Sequence, residues 1–310
     1  MPMLSQRSVL LAKIETTYGT DPVPTGAANA ILISDLNLTP LEQDVESRDL
    51  MRPYFGNSPQ LPVANRALLE FSVELAGSGS LGVAPAYGPL LRGCGLAEVI
   101  TASTKVEYSP VTTSFESVTL YCNYDGVLHK LTGARGSFSL DLEAKKIPKI
   151  KFKFTGLFNA VTDTVLPTAT FTAWQQPLAV LTGQTSAFTL HGYAGAVLQS
   201  LSFDLANTVT HRALVGSEAV LITDRDPAGK VVMEAVSVAT KDFWTIAKNA
   251  TLAALSIQHG TTGGNIIVID APLVQLSKPS YSDMDKVRML NMDLTLNPNT
   301  GNDEIKITVK

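Results

Sequence analysis

The chain is 310 residues long, 45% apolar and 17% charged, with a net charge of −4 and a mean hydropathy of +0.15. That length suits two domains, and the apolar surplus suits burial between subunits as well as within one. The acidic balance argues against a nucleic-acid reader, which carries a basic stripe, and two cysteines, Cys94 and Cys122, exclude a disulfide scaffold and point to a reducing cytoplasm.

The opening "MPMLSQRSVLLAKIETTYGTD" lacks a secretory pattern, because Lys13 and Glu15 follow Leu10 and Leu11 closely. No apolar run approaches the roughly 20 residues of a membrane helix, so no membrane partner is expected. "AILISDLNLTP" predicts a strand, and 41–66 predicts a long loop. In "RALLEFSVEL", Phe71, Val73 and Leu75 alternate with Ser72 and Glu74, the period of a half-buried strand. Gly77, Gly79 and Gly82 follow as G-x-G-x-x-G, then a short helix in "PAYGPLLRGCGL".

"VTLYCNYDGVLHKLTG" reads as a hairpin turning at Asp125-Gly126. A second hairpin spans 136–156. Phe138, Leu140 and Leu142 oppose Ser139, Asp141 and Glu143, and Ile150, Phe152 and Phe154 oppose Lys149, Lys151 and Lys153. This pattern predicts cross-strand ion pairs on a face that is solvated or turned toward something specific. The second half repeats the element order: strand ("VLQSLSFDLAN"), turn ("DRDPAG"), strand ("VVMEAVSV"), helix over 240–255, strand ("NIIVIDA") and a last hairpin over 287–310. The Thr/Pro-rich stretch 161–177 marks the boundary, which divides the chain into domains 1–165 and 166–310. The expected fold is mainly β, with two tandem β-sandwich or barrel domains carrying one short helix each.

Chemistry finds little support. A dinucleotide loop needs a parallel βαβ unit and an acidic residue about 20 positions on; here the flanking strands read as antiparallel and Glu98 sits nearer than that. Gly77, Gly79 and Gly82 are therefore read as a structural turn. His129, His191, His211 and His259 lack metal-ligand spacing, and Asp224 and Asp226 lack a calcium-loop pattern. No catalytic residue, metal or cofactor is assigned. A carbohydrate-active β-sandwich enzyme is the rival of a different class, and aromatic content of 7% argues against it.

The opening "LLAKIETTYGTDPVPTGAANAILISDLNLTP" resembles the start of bacteriophage major tail proteins, with Glu15, Tyr18, Gly19, Thr20, Asp21 and Pro24 filling a Glu-x-x-x-Gly-x-(Asp/Ser)-x-x-Pro pattern. "ELAGSGSLGVAPAYGPLLRGCGL" and "YDGVLHKLTGARGSFSLDLEAKKIPKIKFKFTGLF" are similar to the same family's glycine loop with its helix and to its closing strands. The match is nearest to tail tube proteins of long, non-contractile-tailed phages of Gram-negative hosts. It covers about 1–160 by residues and the remainder by element order.

The resemblance implies a structural virion protein that stacks into rings, forming a tube through which DNA passes without sequence-specific binding. It also implies assembly in the bacterial cytoplasm and tape-measure, tail-terminator and distal tail proteins as partners. A tail-terminator or head-completion ring is the alternative within the class. If both halves are tube domains, three chains make a pseudo-sixfold ring. The loop 41–66, with Leu50, Met51, Tyr54 and Phe55, and an N-terminal arm over about 1–25, with Leu10 and Leu11, are the expected inter-ring contacts.

Overall fold

The computed structural model describes residues 3, 4 and 6–310. The first half contains β1 (Ser8–Ile14), α1 (Gly26–Asn29), β2 (Ala30–Ile31), β3 (Ser34–Ser47), β4 (Gln60–Glu74), α2 (Gly88–Gly93), β5 (Leu96–Thr101), β6 (Lys105–Pro110), β7 (Val118–Tyr124), β8 (Val127–Glu143) and β9 (Lys149–Phe158). After β10 (Thr162–Asp163) come β11 (Thr185–Leu190), β12 (Leu198–Asp204), β13 (Asn207–Leu214), β14 (Ser217–Arg225) and β15 (Ala228–Glu234). The chain ends with α3 (Phe243–Lys248), β16 (Leu252–His259), β17 (Ile267–Met284), β18 (Val287–Asn297) and β19 (Lys306–Val309). Every pairing among the named strands is antiparallel. The fold is mainly β, as the alternation predicts, and has the layered character of a β-sandwich.

One run of eight strands organises the molecule. Its order is β3-β4-β9-β8-β12-β15-β18-β17. β8 is long enough to serve two neighbours along one edge, with β7 beside its first part and β12 beside Ser139–Glu143. β17 likewise takes β16 beside Ile267–Gln275. β1 extends the β7 side, β11 extends the β16 side, and β19 carries β6 and β5. α2 packs on β1, β5, β7 and β8, and α3 packs on β17.

Alternation fixes which face of this run is buried. Val73, Ile150, Leu140, Phe203, Gly229, Leu294 and Leu276 are successive cross-strand partners on one face. The six with side chains are all at most 1% exposed. Gly229 lacks a side chain because a Cβ would stand 2.4 Å from the Ser202 carbonyl. A single apolar cluster includes Leu10, Phe152, Phe203, Met292 and Val309.

Four expectations change. The 41–66 segment is mostly strand: β3 runs to Ser47, β4 starts at Gln60, and only 48–59 is loop. Both faces of that outer hairpin are solvated, so no apolar alternation announces it. "AILISDLNLTP" is broken at Leu32-Ile33 into β2 and β3. The helix expected over 240–255 is only Phe243–Lys248, because Ala250 adopts a left-handed φ of 51° and Leu252–His259 pairs as β16. The last hairpin is β17–β18, turning at Asp285-Lys286; β19 pairs with β17 and β6 and does not return onto β18.

Candidate functional site

The other face of the eight-strand run is mostly polar. Ser34, Ser72, Lys151, Ser139, Asp204, Ala228, Thr295 and Gln275 form one cross-strand row. Glu74, Lys149, Asp141, Ser202, Lys230, Asp293 and Ser277 form the next. An antiparallel sheet places directly opposite residues on the same side, so register alone assigns these faces.

The charges on this face largely cancel. Lys153 and Lys151 approach Glu70 at 3.0 and 3.7 Å, and Lys149 approaches Asp35 at 3.1 Å. On the β17–β18 side, Lys278 meets Asp293 at 3.2 Å. Such exposed pairs add little stability; their effect is to leave no free cationic strip. Glu74, Asp141 and Asp204 add negative charge. Burial, reinforced by the neighbouring Glu143 and Asp204 carboxylates, raises the pKa of Asp141.

The Glu15–Pro24 segment has a different task. Glu15 is 7% exposed, and its carboxylate accepts four hydrogen bonds. They come from the Gly19 and Gly133 amides at 2.7 Å and the Ser117 and Thr119 hydroxyls at 2.6 Å. Gly19 has φ +73°, which lets the chain turn back onto that carboxylate. Asp21 accepts from the Tyr121 hydroxyl, the Val23 amide and Lys130. Burial would raise its pKa, but these hydrogen bonds outweigh that, Tyr121 foremost, and hold it below the usual carboxylate range. The Tyr18 hydroxyl accepts the Val220 amide at 2.6 Å, and Arg135 lies 5.0 Å from the Tyr18 ring centre. Arg135 also donates to the Val220 carbonyl at 2.9 Å. The segment thus fastens the β13–β14 hairpin onto β8.

Gly77 and Gly82 lie where a close approach of backbone leaves no room for a Cβ, and Gly79 has φ +82°. A Cβ on Gly77 would sit 2.0 Å from the Gly264 carbonyl oxygen, and one on Gly82 would sit 2.3 Å from the Ser103 nitrogen. The Gly79 amide donates to Gly264 at 3.0 Å, and Gly77 donates to the Asn265 side chain at 2.6 Å. The loop is pinned against the turn before β17 and has no helix at its end to receive a phosphate, since α2 starts only at Gly88.

Leu50, Met51, Tyr54 and Phe55 are exposed at the tip of the β3–β4 hairpin, with Met51 and Phe55 fully so. Leu10 and Leu11 are not with them. Both lie in β1, at most 2% exposed, so they belong to the core of this chain and offer no surface to a neighbouring ring. The expected free arm is therefore corrected from Ser8 onward; Met1, Pro2 and Ser5 lie outside the described residues. The histidines stay apart, and among the described residues no group of three or more His, Cys, Asp or Glu could hold a metal. Sequence reasoning missed the β8–β12 pairing and hence the continuity of the polar face; the Ser/Asp alternation of "SLSFD" was its only trace.

An antiparallel sheet with a charge-balanced polar side and a buried apolar side defines a β-sandwich-like protein. The chain belongs to the phage tail tube protein family, whose model matches residues 5–309. It is therefore a structural component of the virion tail. A search of curated proteins gave no match. No helix among the described residues is long and apolar enough to cross a membrane.

Proposed function

We propose that three copies of this chain close a ring whose inner surface is the polar face of the eight-strand run. Rings then stack into a tube through which DNA passes. The observation that carries this is the β8–β12 seam, where two four-strand groups of equivalent order, β3-β4-β9-β8 and β12-β15-β18-β17, join edge to edge. In this reading the groups belong to tube domains 1–165 and 166–310. Equivalent backbone contacts support the repeat: the Leu75 amide donates to Pro148 as the Ala235 amide donates to Arg288, both at 2.9 Å. On that alignment the opposed pair Glu70–Lys153 corresponds to Lys230–Asp293, the same neutral pair with its charges exchanged.

Closure satisfies the outer edges, which would otherwise invite uncontrolled pairing. Eight strands from each of three chains give about 24; at ~4.8 Å spacing and a tilt of ~40° the backbone barrel is ~48 Å across. DNA carries one negative charge per ~1.7 Å of its axis and would be retained by a basic lining. The paired lysines and surplus carboxylates here let it slide, with no base-reading groups required. The exposed tip 48–59 is the contact to the adjacent ring. Tape-measure, tail-terminator and distal tail proteins are the heterologous partners, and assembly takes place in the host cytoplasm.

Electron microscopy of the concentrated purified protein tests the reading. Hollow tubes of uniform width are expected. Strictly monomeric protein under conditions in which it stays folded would overturn it.

A further inference from the structure

The chain holds one seam and leaves the edges for another. β8 carries β7 along its first part and β12 along its last; β17 carries β16 along Ile267–Gln275, but among the described residues its last part, Ser277–Met284, is paired only with β18. At the far side of the run, β3 is paired among the described residues only with β4. On the ring reading above, we propose that this open stretch of β17 takes β3 of a second copy in the register of the internal seam: Tyr281 opposite Leu38, Ser282 opposite Asn37 and Ser280 opposite Thr39.

The register follows from the alignment of the two halves. Internally, Leu140 faces Phe203, Asp141 faces Ser202, and Ser139 faces Asp204. Leu140 is reached from Val73 through Ile150, and Tyr281 is reached from Met233 through Leu290. These are the same steps once Glu74 is set on Glu234, as the Leu75 and Ala235 amide contacts require. Phe203 faces Gly229 and Leu38 faces Leu69, which occupy one position in that alignment.

Side chains fit the pairing. Phe203 and Leu140 are buried in the internal seam, whereas Tyr281 is 50% exposed and Leu38 only partly buried. The Tyr281 ring leans on Trp244, 5.1 Å between centres, so its apolar surface is already fixed in place for a partner. A slip of one residue would turn Leu38 to the polar side and is disfavoured.

The hairpins agree. Past the internal seam, the β13–β14 hairpin crosses onto the neighbouring strands, and Asn207 donates to the Gly136 carbonyl at 2.9 Å. Its counterpart beyond Thr39 is the outer β3–β4 hairpin, exposed along both strands in the single chain. An isolated two-stranded hairpin is marginal in water. The neighbouring copy supplies the surface it lacks.

Disulfide trapping tests the register. Directly opposed residues lie about 4.5–5.5 Å apart at Cα, within the roughly 4.4–6.8 Å a disulfide spans. Cys94 and Cys122 are fully buried and do not compete. In tubes of the Asn37→Cys/Ser282→Cys variant, oxidation should link chains head to tail in a ladder that stops at the closed ring. Thr39→Cys/Ser282→Cys, two residues out of register, should link at least about tenfold less, because diagonal neighbours lie ~7–8 Å apart. Tubes that form normally while the 37/282 pair stays unlinked, or while the 39/282 pair links better, overturn the register and leave the tube reading intact. Wild-type protein supplies a second readout: amides of 36–39 and 280–284 should exchange at least about tenfold more slowly in tubes than in monomers. Unchanged exchange there overturns the seam, whereas absence of any tube in the wild type overturns the ring reading itself.

Discussion

Phe203 and Leu140 face each other directly across the β8–β12 seam, each 1% exposed. This pair makes one continuous surface from strands separated by more than the whole of β9 and the 161–177 stretch. Phe203→Ala should cost about 3–5 kcal/mol, the usual range for emptying a buried aromatic site. Urea unfolding followed by fluorescence reads the loss. A cost below about 1 kcal/mol would mean that the seam is not a packed interface.

Glu15 is held by four donors in a buried site. Glu15→Ala strands those donors, and the expected loss is about 2–4 kcal/mol. Glu15→Gln retains part of the network but points an amide hydrogen at other donors, so it should fall between wild type and Glu15→Ala in denaturant midpoint. Equal midpoints for all three proteins would contradict the role given to Glu15.

Two aspartates act on stability with opposite sign. The folded pKa of Asp21 is lowered, so its contribution is present above the unfolded value of about 3.9 and is lost as pH falls through the folded value. Asp21→Asn should therefore destabilise at neutral pH and flatten the acid limb of the stability profile. The folded pKa of Asp141 is raised by burial and by Glu143 and Asp204, so its contribution favours folding below about 3.9 and is lost as pH rises through the folded value. Asp141→Asn should stabilise slightly at pH 7 and have no such effect near pH 3. Thermal midpoints across that range check both.

Gly77→Ala would place a methyl 2.0 Å from the Gly264 carbonyl oxygen. Moving two loops apart costs about 1–3 kcal/mol, read as a lowered thermal midpoint. Ser80→Ala, at an exposed position of the same loop, should stay within ~0.5 kcal/mol of wild type.

Met51 and Phe55 are fully exposed at the tip of the β3–β4 hairpin. The double change Met51→Ser/Phe55→Ser should leave the unfolding midpoint within about 0.5 kcal/mol of wild type. It should nevertheless yield separate rings in place of long tubes by electron microscopy. Tubes of normal length would remove the tip from the stacking contact.

Much of this molecule was legible where one face is apolar and the other is not. Phe138, Leu140 and Leu142 against Ile150, Phe152 and Phe154 announced β8 and β9 and also their polar side, because the lysines and carboxylates alternate with them. The outer parts of β3 and β4 were illegible for the opposite reason: Glu42 and Asp44 bind Arg66 at the surface, and Leu41, Val45, Leu61 and Val63 are exposed and mark no buried face. β16 was masked by its composition. "TLAAL" favours helix locally, and pairing of Leu252–His259 with β17 decides otherwise. The seam left only the Ser/Asp alternation of "SLSFD" in β12, which marks a polar side but does not encode which distant edge completes it.

Mass per ring in assembled tubes, measured by scanning transmission imaging or by a helical reconstruction, tests the central claim most directly. Three chains per ring, with each chain contributing both four-strand groups to the inner wall, is the expected result. Six chains per ring, with only one group from each lining the channel, would contradict it.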